Sequence, residues 1–441
     1  MRFLLLEHHF AQDLQELRRV AAGIELETIP YEDLRAEALR TMPGEVACGL
    51  EAFASERLAE ARRRYAAVLR EIVFDRFVAN PFDAIVLPSD TFFYVRAMPQ
   101  VAHSLGVPLL VAQKETTISE QSLREHAARI RRFAPPLADR MTVCSERHKR
   151  FWLRAGGAAE RIVVTGQPRF DFYARAIGER AASERAGAGR PVRTGEGSAP
   201  NVLFLSYAVD AYHPGEGSGE AAWARLHRQT ERGLEELARR GWRVLVKPHP
   251  QQPLDPLRRW RSEAGEAWAR RISLVDPQAD VRPLIAAADA VVGFQSTAML
   301  EAMLAGRPVL YTGWDPLAAS LGEQMIPFDR WRREIVVVDD ARDFAEAVVA
   351  VAAERCPDSV LSSRRAIAEG YLGPLDGKAA QRTMAVLCEE ARRWAGERGL
   401  TERQLRASLA RRRRPLRLAR RGRRLTRSLR WRLGAALGRG V

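Results

Sequence analysis

The chain has 441 residues, of which 46% are apolar and 28% charged. That profile belongs to a folded protein of two or three domains at roughly 100–200 residues each, and excludes a mostly disordered chain. The 70 basic and 55 acidic residues give a net charge of +15, but residues 406–441 hold fourteen Arg and no acid, which leaves +1 for the other 405 residues. A basic appendage is implied, and a nucleic-acid-binding body is not. No apolar run approaches the ~20 residues that span a bilayer. Met1–Leu6 is too short, and too soon interrupted by Glu7 and the His8–His9 pair, for a secretory signal. Cys48, Cys144, Cys356 and Cys388 lie far apart without CxxC spacing, so neither a zinc site nor a disulfide framework is suggested and a reducing cytosol fits.

In chain order, strands are expected at Arg2–Leu6, Ile24–Ile29, Ala84–Leu87, Pro108–Ala112, Met141–Cys144 and Arg161–Thr165. Helical patterns lie between them, including a long charged helix near Glu51–Phe77 and a basic amphipathic one at Leu123–Phe133. Residues 182–200 are rich in Gly, Ala, Pro and Ser and read as a linker. The alternation then restarts, with strands at Asn201–Ser206, Trp242–Val246, Ile272–Val275, Ala290–Val292 and Pro308–Tyr311 and helices between and after them. Strands alternating with helices predict parallel sheets. The expected organisation is a Rossmann-like unit over 1–181, a linker over 182–200, a second such unit over 201–395 and a basic tail over 396–441. Ligands of such sheets sit at the carboxyl ends of the strands.

Four constellations stand at such ends. The strand Trp242–Val246 runs into Lys247-Pro248-His249-Pro250, where the prolines fix the backbone around an imidazole and an ammonium suited to an anionic leaving group. A solvated turn competes with this reading. Next, Gln295-Ser296-Thr297 opens a helix after a buried strand, and free N–H groups with two hydroxyls make an anion cradle. Glu301, one turn on, is placed for a ribose hydroxyl; simple capping explains the same residues. Third, Gly166-Gln167-Pro168-Arg169 follows a strand, with Arg169 reaching the cleft or bracing the junction of the units. Fourth, Lys114-Glu115 follows Pro108–Ala112, and Glu115 is a carboxylate where a general base is wanted; a polar surface loop fits as well. His8, His9 and Asp90 are weaker candidates.

Thr165-Gly-x-Pro-Arg-x-Asp171, Lys247-Pro-His-Pro250, Ser296-Thr-x-x-x-Glu301 with Gly306-Arg-Pro308, and Asp376-Gly377 recur in this order in one group. The chain resembles the CDP-glycerol glycerophosphotransferases, GT-B enzymes of bacterial surface polymers. Its His-Pro and Ser/Thr pairs are also similar to those of the bacterial polysialyltransferases. The resemblance implies an α/β GT-B fold of two doubly wound units facing a cleft. The second unit would hold a nucleotide-activated donor, with His249 and Lys247 at its phosphate. Ser296, Thr297, Gln295, Glu301, Pro248, Gly166 and Arg169 would line the donor site, with no metal or other cofactor. The expected reaction is metal-independent transfer of a glycosyl or glycerophosphoryl group to a cell-surface glycan or lipid-linked acceptor, Glu115 acting as base. A non-hydrolysing UDP-sugar 2-epimerase and a non-catalytic scaffold recruited to the membrane are the alternatives. Leu418, Leu425, Leu429, Leu433 and Leu437 recur among arginines at helix-compatible spacing. They suggest a basic helix on an anionic membrane, hence a cytoplasmic, peripheral protein with no specific nucleic-acid partner. A disordered basic tail fits the same residues.

Overall fold

The computed structural model describes residues 1–7, 10–114, 119–185, 199–207, 219–250, 252–316, 322–354 and 356–397. Their strands form two six-stranded sheets, parallel throughout. The first holds β1 (Arg2–Glu7), β2 (Glu25–Pro30), β3 (Ala84–Leu87), β4 (Leu109–Ala112), β5 (Arg140–Val143) and β6 (Ile162–Val164), in the order β2-β1-β3-β4-β5-β6. The second holds β7 (Asn201–Leu205), β8 (Arg243–Lys247), β9 (Ile272–Leu274), β10 (Ala290–Gly293), β11 (Val309–Tyr311) and β12 (Val336–Val337), in the order β12-β11-β10-β7-β8-β9. The central strands read as continuous apolar runs because helices cover both faces: Val202, Leu203, Phe204, Val291 and Val292 have no exposure. In the second sheet the strand order reverses between β7 and β10, so the residues following these strands flank the crevice where such sheets bind ligands.

The fold is the expected two-unit α/β architecture, with three departures. The helix Asp171–Arg185 runs through residues 182–185, so the expected linker starts later than its composition suggests. The long helix expected from Glu51 breaks at Ser55, giving Leu50–Ala54 and, after a short turn, Ala59–Ala79. The helix Ala379–Glu397, expected on the second unit, crosses back to the first: Ala380, Met384, Leu387 and Ala391 pack among Phe3, Leu5, Leu14 and Leu17. Asp171 starts this helix by accepting from the N–H groups of Ala379 (3.0 Å) and Ala380 (2.8 Å), two of the donors a helix start leaves unsatisfied. Its far end is pinned where Trp394 Nε1 donates to the carbonyl of Gly106 at 3.0 Å. Among the described residues, no helix is long and apolar enough to cross a membrane. The basic tail lies outside the described residues, save its first two.

Candidate functional site

The units meet through a buried ionic junction. Arg282 is 1% exposed. It donates to Glu16 at 3.2 Å, Gln15 at 2.7 Å and the carbonyl of Arg169 at 3.1 Å, and pairs with Asp280 at 2.8 Å. Nearby, Arg169 Nη2 and the Tyr173 hydroxyl both donate to Glu301, at 3.1 and 2.8 Å. Burial pushes the Glu301 carboxyl above its usual range against the pull of Arg169. Glu301 therefore braces the junction, and its two oxygens already have partners where a ribose hydroxyl was expected. Arg169 takes the bracing alternative. Gly166, at φ +82, presses against Ala379 and the carbonyl of Pro374, so it accommodates the returning C-terminal segment. Asp376 pairs with Arg382 at 2.7 Å, and Arg382 donates to the Thr165 carbonyl at 2.7 Å. The Thr165–Asp171 and Asp376-Gly377 motifs are thus two halves of one structural hub.

Across the cleft, the ends of β4 and β8 bring together Lys114, Lys247 and His249. Partial burial first, then the positive fields of Lys114 and Lys247, hold the His249 imidazole below its ordinary pKa. Both influences favour the neutral ring, and an arriving anion works against them by favouring the charged form. Lys247 is not extended toward the cleft as expected. Its ammonium donates to the carbonyls of Pro248 (3.0 Å) and Pro277 (2.7 Å), bracing the turn while adding to the field. Pro248 is buried and contributes its carbonyl to that brace. His249 itself is exposed.

Ser296 ends the approach from β10. It caps the helix Thr297–Leu304, its Oγ accepting from the N–H of Ala298 at 3.2 Å, and Thr297 is half-buried beside it. Gln295 is committed elsewhere: it accepts from the Ile326 N–H at 2.9 Å and donates to the Ile326 carbonyl at 3.0 Å, tying a loop to the strand end. Glu115, His8 and His9 lie outside the described residues. Asp90 accepts from the N–H groups of Leu137 and Ala138, a structural use.

Several polar groups were not singled out by the sequence. Asp13 is 1% exposed and accepts from Gln167 Nε2 at 2.7 Å and the Arg169 N–H at 3.0 Å. Burial pushes its carboxyl up, against the pull of Arg169 and, more weakly, Lys114. It lies inside the junction of the units, beside Arg169. In the second unit, Ser206 follows β7. Its Oγ lies 2.9 Å from His227 Nε2, while His227 Nδ1 lies 3.2 Å from Glu231. Gln252 Nε2 donates to the same Oγ at 2.9 Å, and Gln252 Oε1 accepts from the His249 N–H at 3.3 Å. The sequence signal for this chain was a His and a Glu four apart on one helix, with a Ser closing a neighbouring strand.

No family model and no curated protein sequence matches the chain. Solved structures do. A putative UDP-N-acetylglucosamine 2-epimerase from Listeria monocytogenes is 14% identical, covering 88% of this chain and 95% of its own, at a TM-score of 0.52. The UDP-GlcNAc 2-epimerase of Methanocaldococcus jannaschii is 14% identical over 88% and 99%, at 0.49. That of Neisseria meningitidis, bound to UDP-GlcNAc, is 14% identical over 88% and 100%, at 0.48. At these identities the likeness is one of fold, and the fold is GT-B-like: two Rossmann-like units facing a cleft. No family model and no curated sequence supports the resemblance to glycerophosphotransferases or polysialyltransferases.

Proposed function

We propose that this chain is an enzyme acting on a nucleotide-activated sugar, breaking the bond between the anomeric carbon and the nucleotide diphosphate. The observation that carries the reading is that His249, just after β8, stands in the positive fields of Lys247 and of Lys114, which follows β4 of the other unit. A departing diphosphate accumulates negative charge, and a fixed cationic site lowers the cost of that charge without reorganisation. The capped helix start at Ser296 and Thr297 adds N–H donors on the neighbouring strand end.

Within this class the better-supported reaction is UDP-sugar 2-epimerisation, the reaction of the putative Listeria monocytogenes epimerase whose fold this chain shares over 95% of that protein's length. The C2 proton of a sugar is weakly acidic. Its removal becomes feasible when the diphosphate leaves C1 in the same elimination, giving a C1=C2 double bond; a proton added to C2 from the other face while the diphosphate oxygen bonds again to C1 yields the C2 epimer. That chemistry asks the first unit for a proton-accepting group. Glu115, the residue after Lys114 in the sequence, is the carboxyl we assign to it; Asp13 is 1% exposed and committed to Gln167 and Arg169. No cofactor beyond the nucleotide substrate is required. Transfer to a glycan or lipid-linked acceptor is the second reading, favoured by the arginine-rich segment 406–441, which suits an anionic membrane surface.

The deciding experiment supplies UDP-GlcNAc to the full chain in D2O with no acceptor and follows C2 by NMR. Epimer with deuterium at C2 supports epimerisation. Nucleotide release only when a glycan acceptor is added supports transfer. Absence of UDP binding by calorimetry overturns the nucleotide-sugar reading altogether.

A further inference from the structure

The chain Glu231–His227–Ser206–Gln252–His249, buried at its inner end, takes a single hydrogen-bond direction for a neutral His227. At its outer end, the His249 N–H is a donor, so Gln252 must turn its carbonyl oxygen toward it. The Gln252 amide nitrogen, a donor, then faces Ser206 Oγ, which accepts. At the inner end the Glu231 carboxylate faces His227 Nδ1, which must therefore carry a proton. A neutral imidazole protonated at Nδ1 has a bare Nε2, and the Ser206 hydroxyl donates to it. Every donor meets an acceptor. Ser206, His227 and Glu231 are each at most 9% exposed, so a broken link leaves a buried polar group unsatisfied.

We infer that Ser206, His227 and Glu231 are positioning residues that hold the Pro248–Gln252 turn, and so place His249 at the leaving diphosphate. The inference rests on the reading of His249 as a phosphate-contacting group. It explains why a Ser–His–Glu arrangement with the spacing of a nucleophile site faces inward: the Ser206 oxygen accepts from Gln252 instead of attacking a substrate. The prolines at 248 and 250 lack N–H groups, so this hydrogen bond is what ties the backbone N–H of His249 itself.

Hydrogen exchange by mass spectrometry tests the chain directly, because in a peptide spanning 248–252 the prolines contribute no amide and the signal is dominated by few positions. Ser206→Ala and His227→Phe are expected to speed exchange there and to weaken UDP binding about tenfold, the scale of one lost net hydrogen bond. Ser206→Thr, which keeps the hydroxyl, is expected to restore both. Wild-type exchange and affinity in folded Ser206→Ala would overturn the inference. Should these variants not fold, imidazole nitrogen NMR of the wild-type protein decides: a Nδ1–H tautomer at His227 supports the chain, and a Nε2–H tautomer overturns it. If wild-type protein binds no UDP, the functional reading fails, while exchange and tautomer still judge the chain.

Discussion

Arg282 of the second unit and Glu16 of the first face each other at 3.2 Å with 1% and 2% of their side chains exposed. The two units are thereby joined through charges withdrawn from water, beside apolar contacts in which Phe170 and Tyr173 enter the core of the second unit. Removing Arg282 leaves Glu16 with Arg175 at 2.7 Å but takes the donor from Gln15 and the Arg169 carbonyl and the partner from Asp280. Arg282→Met is expected to destabilise the chain by about 3–5 kcal/mol and to split a single calorimetric transition into two as the units uncouple. A single transition at an unchanged midpoint would show that the junction is held by something else.

His249→Ala should fold normally, since its side chain is exposed and supports no core. Its loss should lower turnover of the nucleotide sugar about a hundredfold or more, in the range seen when one charge-stabilising group is removed. Steady-state kinetics beside thermal unfolding gives the answer, and full turnover in the folded variant would remove His249 from the mechanism.

Acid stability carries a second signature. His148 is fully buried near Cys144, its Nδ1 3.2 Å from the sulfur, and burial lowers its pKa to about 3. The unfolded chain protonates this histidine near its ordinary value of about 6.5. Between the two values the unfolded state binds the extra proton, so stability falls as pH falls, by roughly 1.4 kcal/mol per pH unit from this group. The buried carboxyls Asp13, Asp90, Asp171 and Glu301, raised by burial, act in the opposite sense. The difference between wild type and His148→Phe isolates the histidine. Urea midpoints of the variant should drop less between pH 6 and pH 4; parallel slopes would contradict the assignment.

Gly373 and Gly370 provide a paired test of packing. A Cβ at Gly373 would lie 1.6 Å from the Cys144 carbonyl oxygen, at a φ of +89, whereas one at Gly370 meets nothing within 4 Å. Gly373→Ala is expected to abolish soluble folded protein. Gly370→Ala, inside the helix Asp358–Leu372, should leave stability unchanged or raise it by about 0.5–1 kcal/mol. Equal melting temperatures for the two variants would refute the contact.

The strand pattern was readable because apolar runs between turn residues need only local information. β12 escaped, since a two-residue pairing at Val336–Val337 leaves no periodic trace. The strand-end motifs were found for the same local reason, but their partners were not. Whether Lys247 points to a phosphate or to the Pro277 carbonyl is decided thirty residues away. Whether Glu301 meets a ribose or Arg169 is decided more than a hundred residues away. Arg282 follows Asp280 like any surface arginine near a helix start, and only assembly of the two units buries it. The departure of the C-terminal helix to the first unit was invisible because an amphipathic pattern states that a face is apolar, not which sheet it covers.

That helix also fixes a direction of attachment. It starts beside Thr165 and Asp171, where β6 ends, and finishes with Trp394 against Gly106, just ahead of β4. It therefore runs against the strands, from their carboxyl ends to their amino ends. Glu397, the last described residue, lies toward the amino ends of the first unit's strands. A ligand bound at the carboxyl ends of the strands would enter from the pole opposite Glu397.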